Sequence, residues 1–109
     1  MENQEFKDRR IFDRIPTKLH LRYLNRSSNK SGFAQTRDIS ANGIGLITEE
    51  DLTPETSLEI WLEIPDKGEP LYTRGEVVWS EELQSNKYRA GVQLDKVDFM
   101  GMSRVMRTL

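Results

Sequence analysis

The chain has 109 residues, 36% hydrophobic and 31% charged, a balance that suits one soluble globular core and leaves little room for a second domain. It contains no cysteine, which excludes disulfides and thiolate metal centres, and no apolar run near the ~20 residues needed to span a bilayer as a helix. The net charge of -2 hides an asymmetry: residues 1–30 carry eight Lys/Arg against four Asp/Glu, the remainder eight against fourteen. A local cationic patch on an acidic body suits a small anionic ligand better than bulk nucleic acid, whose binders carry a broader basic footprint.

Residues 1–15 are polar and highly charged, without periodic apolar positions. They form an N-terminal arm carrying Arg9, Arg10 and Arg14, with Ile11, Phe12 and Ile15 as anchoring contacts. Met1-Glu2-Asn3-Gln4-Glu5 has no apolar stretch of the kind a secretory leader needs, so a cytoplasmic location is expected. Pro16 disfavours helix at Ile15 and marks entry into a strand. From Thr17, Leu19, Leu21 and Tyr23 alternate with Lys18, His20 and Arg22, the period of a half-buried strand. Asn25 through Gly32 is a polar, turn-rich loop.

A second strand runs from Phe33 to Asp38 and a third over Ile44-Gly45-Leu46-Ile47-Thr48, with Asn42-Gly43 between them suited to positive φ. Glu49-Glu50-Asp51 and Thr53-Pro54-Glu55-Thr56 make a solvated acidic loop. Leu58, Ile60, Leu62 and Ile64 alternate with Glu59, Trp61 and Glu63 before Pro65-Asp66-Lys67-Gly68 ends that strand. Tyr72 to Ser80 and Tyr88 to Leu94 complete six strands, the pattern of an antiparallel barrel or sandwich. In the tail, Phe99, Met102, Val105, Met106 and Leu109 recur at helical spacing, with Asp95 and Asp98 toward the start and Arg104 and Arg107 toward the end. This predicts a helix packed on the barrel, with Met100, Met102 and Met106 filling gaps. The chain thus divides into the arm, 1–15, and a barrel with its helix, 16–109.

Two segments concentrate the chemistry: Arg9-Arg10-Ile11-Phe12-Asp13-Arg14 and Asp38-Ile39-Ser40-Ala41-Asn42-Gly43. Guanidinium forks bind phosphate oxygens and match the O6 and N7 acceptors of guanine. A carboxylate accepts hydrogen bonds from the guanine N1 and N2 donors, and glycine lets a ligand approach the backbone. No nucleophile–base pair, glycine-rich phosphate loop before a helix, or metal cluster is evident, which favours a binding module over an enzyme and implies no cofactor. His20, the single histidine, falls on a polar strand face and reads as a surface residue. Trp61 and Trp79 could stack bases, although Trp79 reads better as core packing.

Taken as R-x-x-x-R (Arg10, Arg14) followed by D-x-S-x-x-G (Asp38, Ser40, Gly43), these segments resemble the PilZ domain family of bacterial cyclic-di-GMP receptors. Gly75-Glu76-Val77-Val78-Trp79 and Tyr88-Arg89-Ala90-Gly91-Val92-Gln93-Leu94 resemble later strands of that family, in the same order. The resemblance covers nearly the whole chain from Arg9 onward. It implies an all-β fold, a six-stranded antiparallel barrel with a C-terminal α-helix, acting as a cyclic-di-GMP receptor or adaptor with a downstream protein partner. By the same resemblance, Arg10 and Arg14 contact the phosphates and a guanine edge, and Arg9 assists. Asp38 accepts from guanine N1 and N2, Ser40 bonds near the purine or phosphate, and Gly43 keeps the turn open. The alternatives are an adaptor acting by protein contact without nucleotide, and an oligonucleotide-binding small barrel.

Overall fold

The computed structural model describes residues 14–40, 42–95 and 99–108. Alternation in the sequence becomes alternation of faces. In β2 (His20–Asn25), Leu21 and Tyr23 are buried while His20 and Arg22 point out. The other long strands are β3 (Lys30–Ser40), β4 (Gly43–Thr48), β5 (Ser57–Leu62), β6 (Leu71–Gln84) and β7 (Lys87–Leu94). They pair antiparallel in the order β3-β2-β5-β6-β7-β4, and a β3–β4 ladder from Ala34↔Thr48 to Ser40↔Gly43 closes the ring of six. The two-residue strand β1 (Ile15–Pro16) joins β3 opposite Ile39 and Asp38. Ile15, the last residue assigned to the arm, is therefore already part of the sheet; residues 1–13 lie outside the described residues.

Inward positions fill the barrel. Leu21, Ile44, Leu46, Leu58, Ile60, Leu62 and Val77 are fully buried, with Tyr23 and Leu52 among them. Each such aliphatic side chain contributes about 1.5–3 kcal/mol by leaving water, so this interior is the main source of stability. Burial and a hydrogen bond to the Glu50 carboxylate push the Tyr23 phenol up to about 12.

The expected loop from Asn25 to Gly32 is instead a tight hairpin turn, because β2 and β3 stay in register as far as Asn25↔Lys30. Asn25 organises it. Its side-chain oxygen accepts from the backbone N–H of Ser27 at 2.9 Å and Ser28 at 3.2 Å, and Asn29 takes a φ of 62°. Asn42 and Gly43 do not use positive φ; among the described residues the left-handed ones are Asn29, Glu55, Lys67 and Asn86. β6 also runs past Ser80 to Gln84, because Glu81, Glu82 and Gln84 pair with Arg89, Tyr88 and Lys87 in an exposed hairpin where no apolar alternation is required.

The helix α1 (Phe99–Arg107) turns Gly101 and Val105 toward the barrel. Met106, expected in that contact, is exposed, since one residue of helix rotates a side chain by ~100°. Asp95 continues the sheet, its N–H donating to Arg74 O at 2.9 Å, while Asp98 lies outside the described residues. Arg104 pins α1 to the β5–β6 loop through Nε and Nη2, which donate to the two Asp66 carboxylate oxygens at 2.8 and 2.9 Å. Its Nη2 also donates to Glu69 O at 2.8 Å.

The Arg104 fork and the Gly68 N–H hold the Asp66 carboxyl well below the usual carboxylate range. A depressed folded-state pKa adds stability that is complete above the unfolded value, about 3.9, and is lost as pH falls below it. Acidification below roughly pH 4 should therefore loosen α1 ahead of the barrel. Amide NMR shifts followed through an acid titration should show the α1 signals moving first, and Asp66→Asn should remove that early step.

Candidate functional site

A sheet residue keeps its face only while the two-residue period holds, and two bulges break that period here. In β3 the register slips between Thr36↔Leu46 and Asp38↔Gly45, with Arg37 as the extra residue. Thr36 faces the core, and beyond the bulge the inward phase passes to Ile39, which leaves Asp38 on the outer wall. In β6 the register slips between Val77↔Val92 and Trp79↔Gly91, with Val78 as the extra residue. Val77 is buried, and Trp79, two residues on, lies outside opposite Gly91 with 39% of its surface exposed. Core packing for Trp79 is thus corrected, because the bulge at Val78 turns Trp79 to the outer wall.

The two displaced residues face each other across a floor of glycine. Cross-strand partners run Pro16–Asp38–Gly45–Gly91–Trp79 through β1, β3, β4, β7 and β6. Directly opposed residues share a face, so the two glycines leave a trough between Asp38 and Trp79. Both side chains lean into it. A Cβ on Gly45 would lie 2.7 Å from Asp38 Oδ1, and one on Gly91 would collide with the Trp79 indole nitrogen. The result is an open pocket of about 270 Å³ lined by Arg14, Arg37, Asp38, Gly45, Trp79 and Arg89.

Three guanidinium groups and one carboxylate thus line one small volume. Arg14, just before β1, donates from Nη1 to Asp38 Oδ1 at 2.6 Å. Arg14 is half exposed at 51% and Asp38 largely covered at 19%. The short distance marks a charge-assisted bond, but one partner is well solvated, so a net value of ~0–1 kcal/mol applies. The pair sets geometry more than stability. Arg89 on β7 donates from Nη2 to Glu81 Oε1 at 2.6 Å, and its guanidinium carbon stands 5.6 Å from the Trp79 ring centre.

Of the residues singled out in the sequence, Arg14 and Asp38 line this trough, and Gly43 and Ser40 stand beside Arg14. Ser40 Oγ is buried and donates within its own turn, to Asn42 Oδ1 at 3.2 Å or Gly43 O at 3.3 Å. At Gly43 a Cβ would be tight against Val92 O, at 3.2 Å, and in ordinary contact with Arg14 Nη2, at 3.7 Å. Arg9 and Arg10 lie outside the described residues. From sequence alone Gly45 and Gly91 can leave space on the barrel face and Trp79 can stack bases, whereas Arg37 and Arg89 carry no such signal. The signal for Gly45 and Gly91 was their place on adjoining strands, which becomes a shared floor only once the register is known.

Elsewhere, His20 is exposed beside the rim formed by Phe33, Ile47 and the β6–β7 hairpin. Trp61 is engaged by neighbours, with the Arg22 guanidinium 4.1 Å above its ring and Tyr72 5.4 Å away. Among the described residues no group of three or more His, Cys, Asp or Glu could hold a metal ion, and no helix is long and apolar enough to cross a membrane.

A closed six-stranded antiparallel barrel with a charged trough on its outer wall, ending in a helix, is the class that fold and site define. Within that class the family model of the PilZ domain matches residues 8–107, and the chain belongs to the PilZ domain family. The inhibitor of motility MotI/DgrA of Bacillus subtilis superposes with a TM-score of 0.69 at 14% identity, over 88% of this chain and 47% of that one. The PilZ domain of YcgR from Escherichia coli, solved with c-di-GMP, gives a TM-score of 0.68 at 14% identity, over 91% of this chain and 87% of that one. The PilZ domain of CeSA from a cellulose-synthesizing bacterium gives 0.64 at 18% identity, over 87% and 92%. At these identities the likeness is one of fold. The chain spans about half the length of the motility inhibitor and most of the two PilZ-domain chains. No curated protein matches the sequence.

The glycine floor makes a direct prediction. Gly91→Ala should push the Trp79 indole off the wall while leaving the barrel folded, because the methyl group enters space the ring occupies. In a Trp61→Phe background, tryptophan emission should shift to longer wavelength with little change in far-ultraviolet circular dichroism. Unchanged emission would mean that the ring does not rest on Gly91.

Proposed function

We propose that this chain is a cyclic-di-GMP receptor domain of bacterial second-messenger signalling, acting in the cytoplasm as a binding module without catalysis. The observation that carries the reading is the Arg14–Asp38 pair, a donor fork and an acceptor carboxylate 2.6 Å apart beside a floor of bare backbone. Membership of the PilZ family and likeness to the c-di-GMP-bound YcgR domain support it.

In this reading Arg10 and Arg14 bind phosphate oxygens and a guanine edge, assisted by Arg9, and Asp38 accepts from guanine N1 and N2. Ser40 bonds near the purine or phosphate, and Gly43 leaves room for the ligand. Asp38 then exchanges one set of donors for another. It gives up the Arg14 Nη1 and takes the guanine edge, while the released guanidinium turns to phosphate. Asp38 stays hydrogen-bonded and the guanidinium stays paired with an anion, which keeps the exchange from stranding a half-covered carboxylate. The altered wall, together with the arm, would be presented to a downstream protein partner.

Calorimetric titration with cyclic di-GMP, with cyclic di-AMP and GTP as controls, tests the reading. Arg14→Ala should cost about 1.5–3 kcal/mol of binding, roughly 10- to 150-fold in Kd. Arg14→Lys should recover little, since an ammonium lacks the planar fork. Asp38→Ala should weaken cyclic di-GMP more than cyclic di-AMP. An equal loss for both would assign Asp38 to holding the turn instead of reading the base.

A further inference from the structure

Arg89 stands in the same trough but outside both motifs, and its guanidinium is incompletely used. The side-on fork of an arginine consists of Nε–H and one Nη–H, spaced to meet two acceptor atoms at once. Arg104 shows this fork filled, with Nε and Nη2 each bonded to one oxygen of Asp66. Arg89 shows it half filled. Nη2 bonds a single oxygen of Glu81 at 2.6 Å, whereas Nε is buried and has no acceptor among the described residues. A buried donor without a partner is uncommon and costs stability, so it calls for a physical account.

The register supplies one. Glu81 and Arg89 are directly opposed on β6 and β7, one outward row from Trp79 and Gly91. Glu81 is half exposed, so its grip on Arg89 is solvated and weak compared with a closed pair. The Arg89 side chain is only 27% exposed and lines the trough with Arg14, Arg37 and Asp38. Swinging off Glu81 would offer both Nε and Nη2 to that volume at the end away from Arg14.

We infer that Arg89 is a further ligand-binding residue, held by Glu81 and transferred to the nucleotide on binding. Its fork takes two neighbouring acceptors of the ligand, a chemistry shared by the O6 and N7 edge of guanine and by phosphate oxygens. Glu81 is then an internal competitor, a carboxylate that occupies half the fork until a two-point acceptor displaces it. This rests on the receptor reading above and adds the regulation of its affinity by a residue outside the ligand contacts.

The test is calorimetric titration of the full chain and three variants with cyclic di-GMP, with melting curves to verify folding. Arg89→Ala should weaken binding roughly tenfold or more, and Arg89→Lys should not restore it, because charge without the fork is insufficient. Glu81→Gln should tighten binding, roughly two- to fivefold, since a neutral competitor grips the guanidinium less strongly. A purely structural Arg89–Glu81 pair would give the opposite sign at Glu81, with both partners weakening binding. Parallel titrations with cyclic di-AMP assign the acceptor: a loss confined to cyclic di-GMP indicates the guanine edge, and an equal loss indicates phosphate. Wild-type affinity in folded Arg89→Ala and Arg89→Lys, or weaker binding in Glu81→Gln, would overturn the assignment while leaving the receptor reading intact. No binding by the unaltered chain would overturn the receptor reading, and this assignment with it.

Discussion

A β-strand offers its side chains alternately to two environments, and in a closed barrel those environments are an apolar interior and water. Every residue on the wall is therefore bound to the phase of its strand. This barrel places its chemistry by breaking that phase at two points. The extra residue Arg37 moves Asp38 out of line with buried Thr36, and the extra residue Val78 does the same for Trp79 relative to buried Val77. With an unbroken period, a carboxylate and an indole would point into a core made of leucine, isoleucine and valine. The desolvation cost of the carboxylate alone would be several kcal/mol. The bulges turn a packing conflict into an outward-facing site, and the glycines on β4 and β7 give those side chains room to lie flat.

Stability and function consequently reside in different layers. The interior supplies the folding energy through side chains at or near zero exposure, whereas the trough is built of partly solvated ion pairs of small net worth. Such pairs hold their partners in place at little cost to exchange, which is what the proposed transfer to a ligand requires. The Arg104–Asp66 contact is of another kind. Both oxygens, both nitrogens and an additional carbonyl are engaged, and it fixes a helix instead of awaiting a ligand. The same residue types thus give a clamp on one surface and an exchangeable contact on another, according to how completely the fork is filled.

The six long strands and the helix were legible in the sequence because alternation and helical spacing survive wherever one face is buried. The closed ring was legible only through the family resemblance, since ring closure depends on the β3–β4 ladder meeting the β4–β7 ladder, and pairing leaves no mark in one strand alone. Arg14 and Asp38 were legible as chemistry, and the structure brings them together across 24 residues of sequence. Trp79 was misjudged because its strand was read by family resemblance as a structural one, and a bulge has no compositional signature in Val77-Val78-Trp79. Arg89 looked like an ordinary strand residue, and only its register opposite Glu81 and its unfilled Nε distinguish it. Polar hairpins were likewise hard to see, because Glu81 through Gln84 carry no apolar face to betray a strand.

That long hairpin bears on how the molecule behaves in a crowd. β5 pairs with β6 only from Leu71 to Glu76, so much of the later part of β6 has a backbone edge not covered by β5. An edge left unpaired among the described residues, with apolar Val78 and Leu83 exposed along it, is a template onto which another chain can add a strand. Here that stretch carries Glu81 and Glu82 and is kinked by irregularities after Val77 and Glu82. Like charges and a broken hydrogen-bond spacing both oppose end-to-end polymerisation. The acids that lengthen the hairpin therefore also guard its edge, and one of them, Glu81, holds the Arg89 that lines the trough.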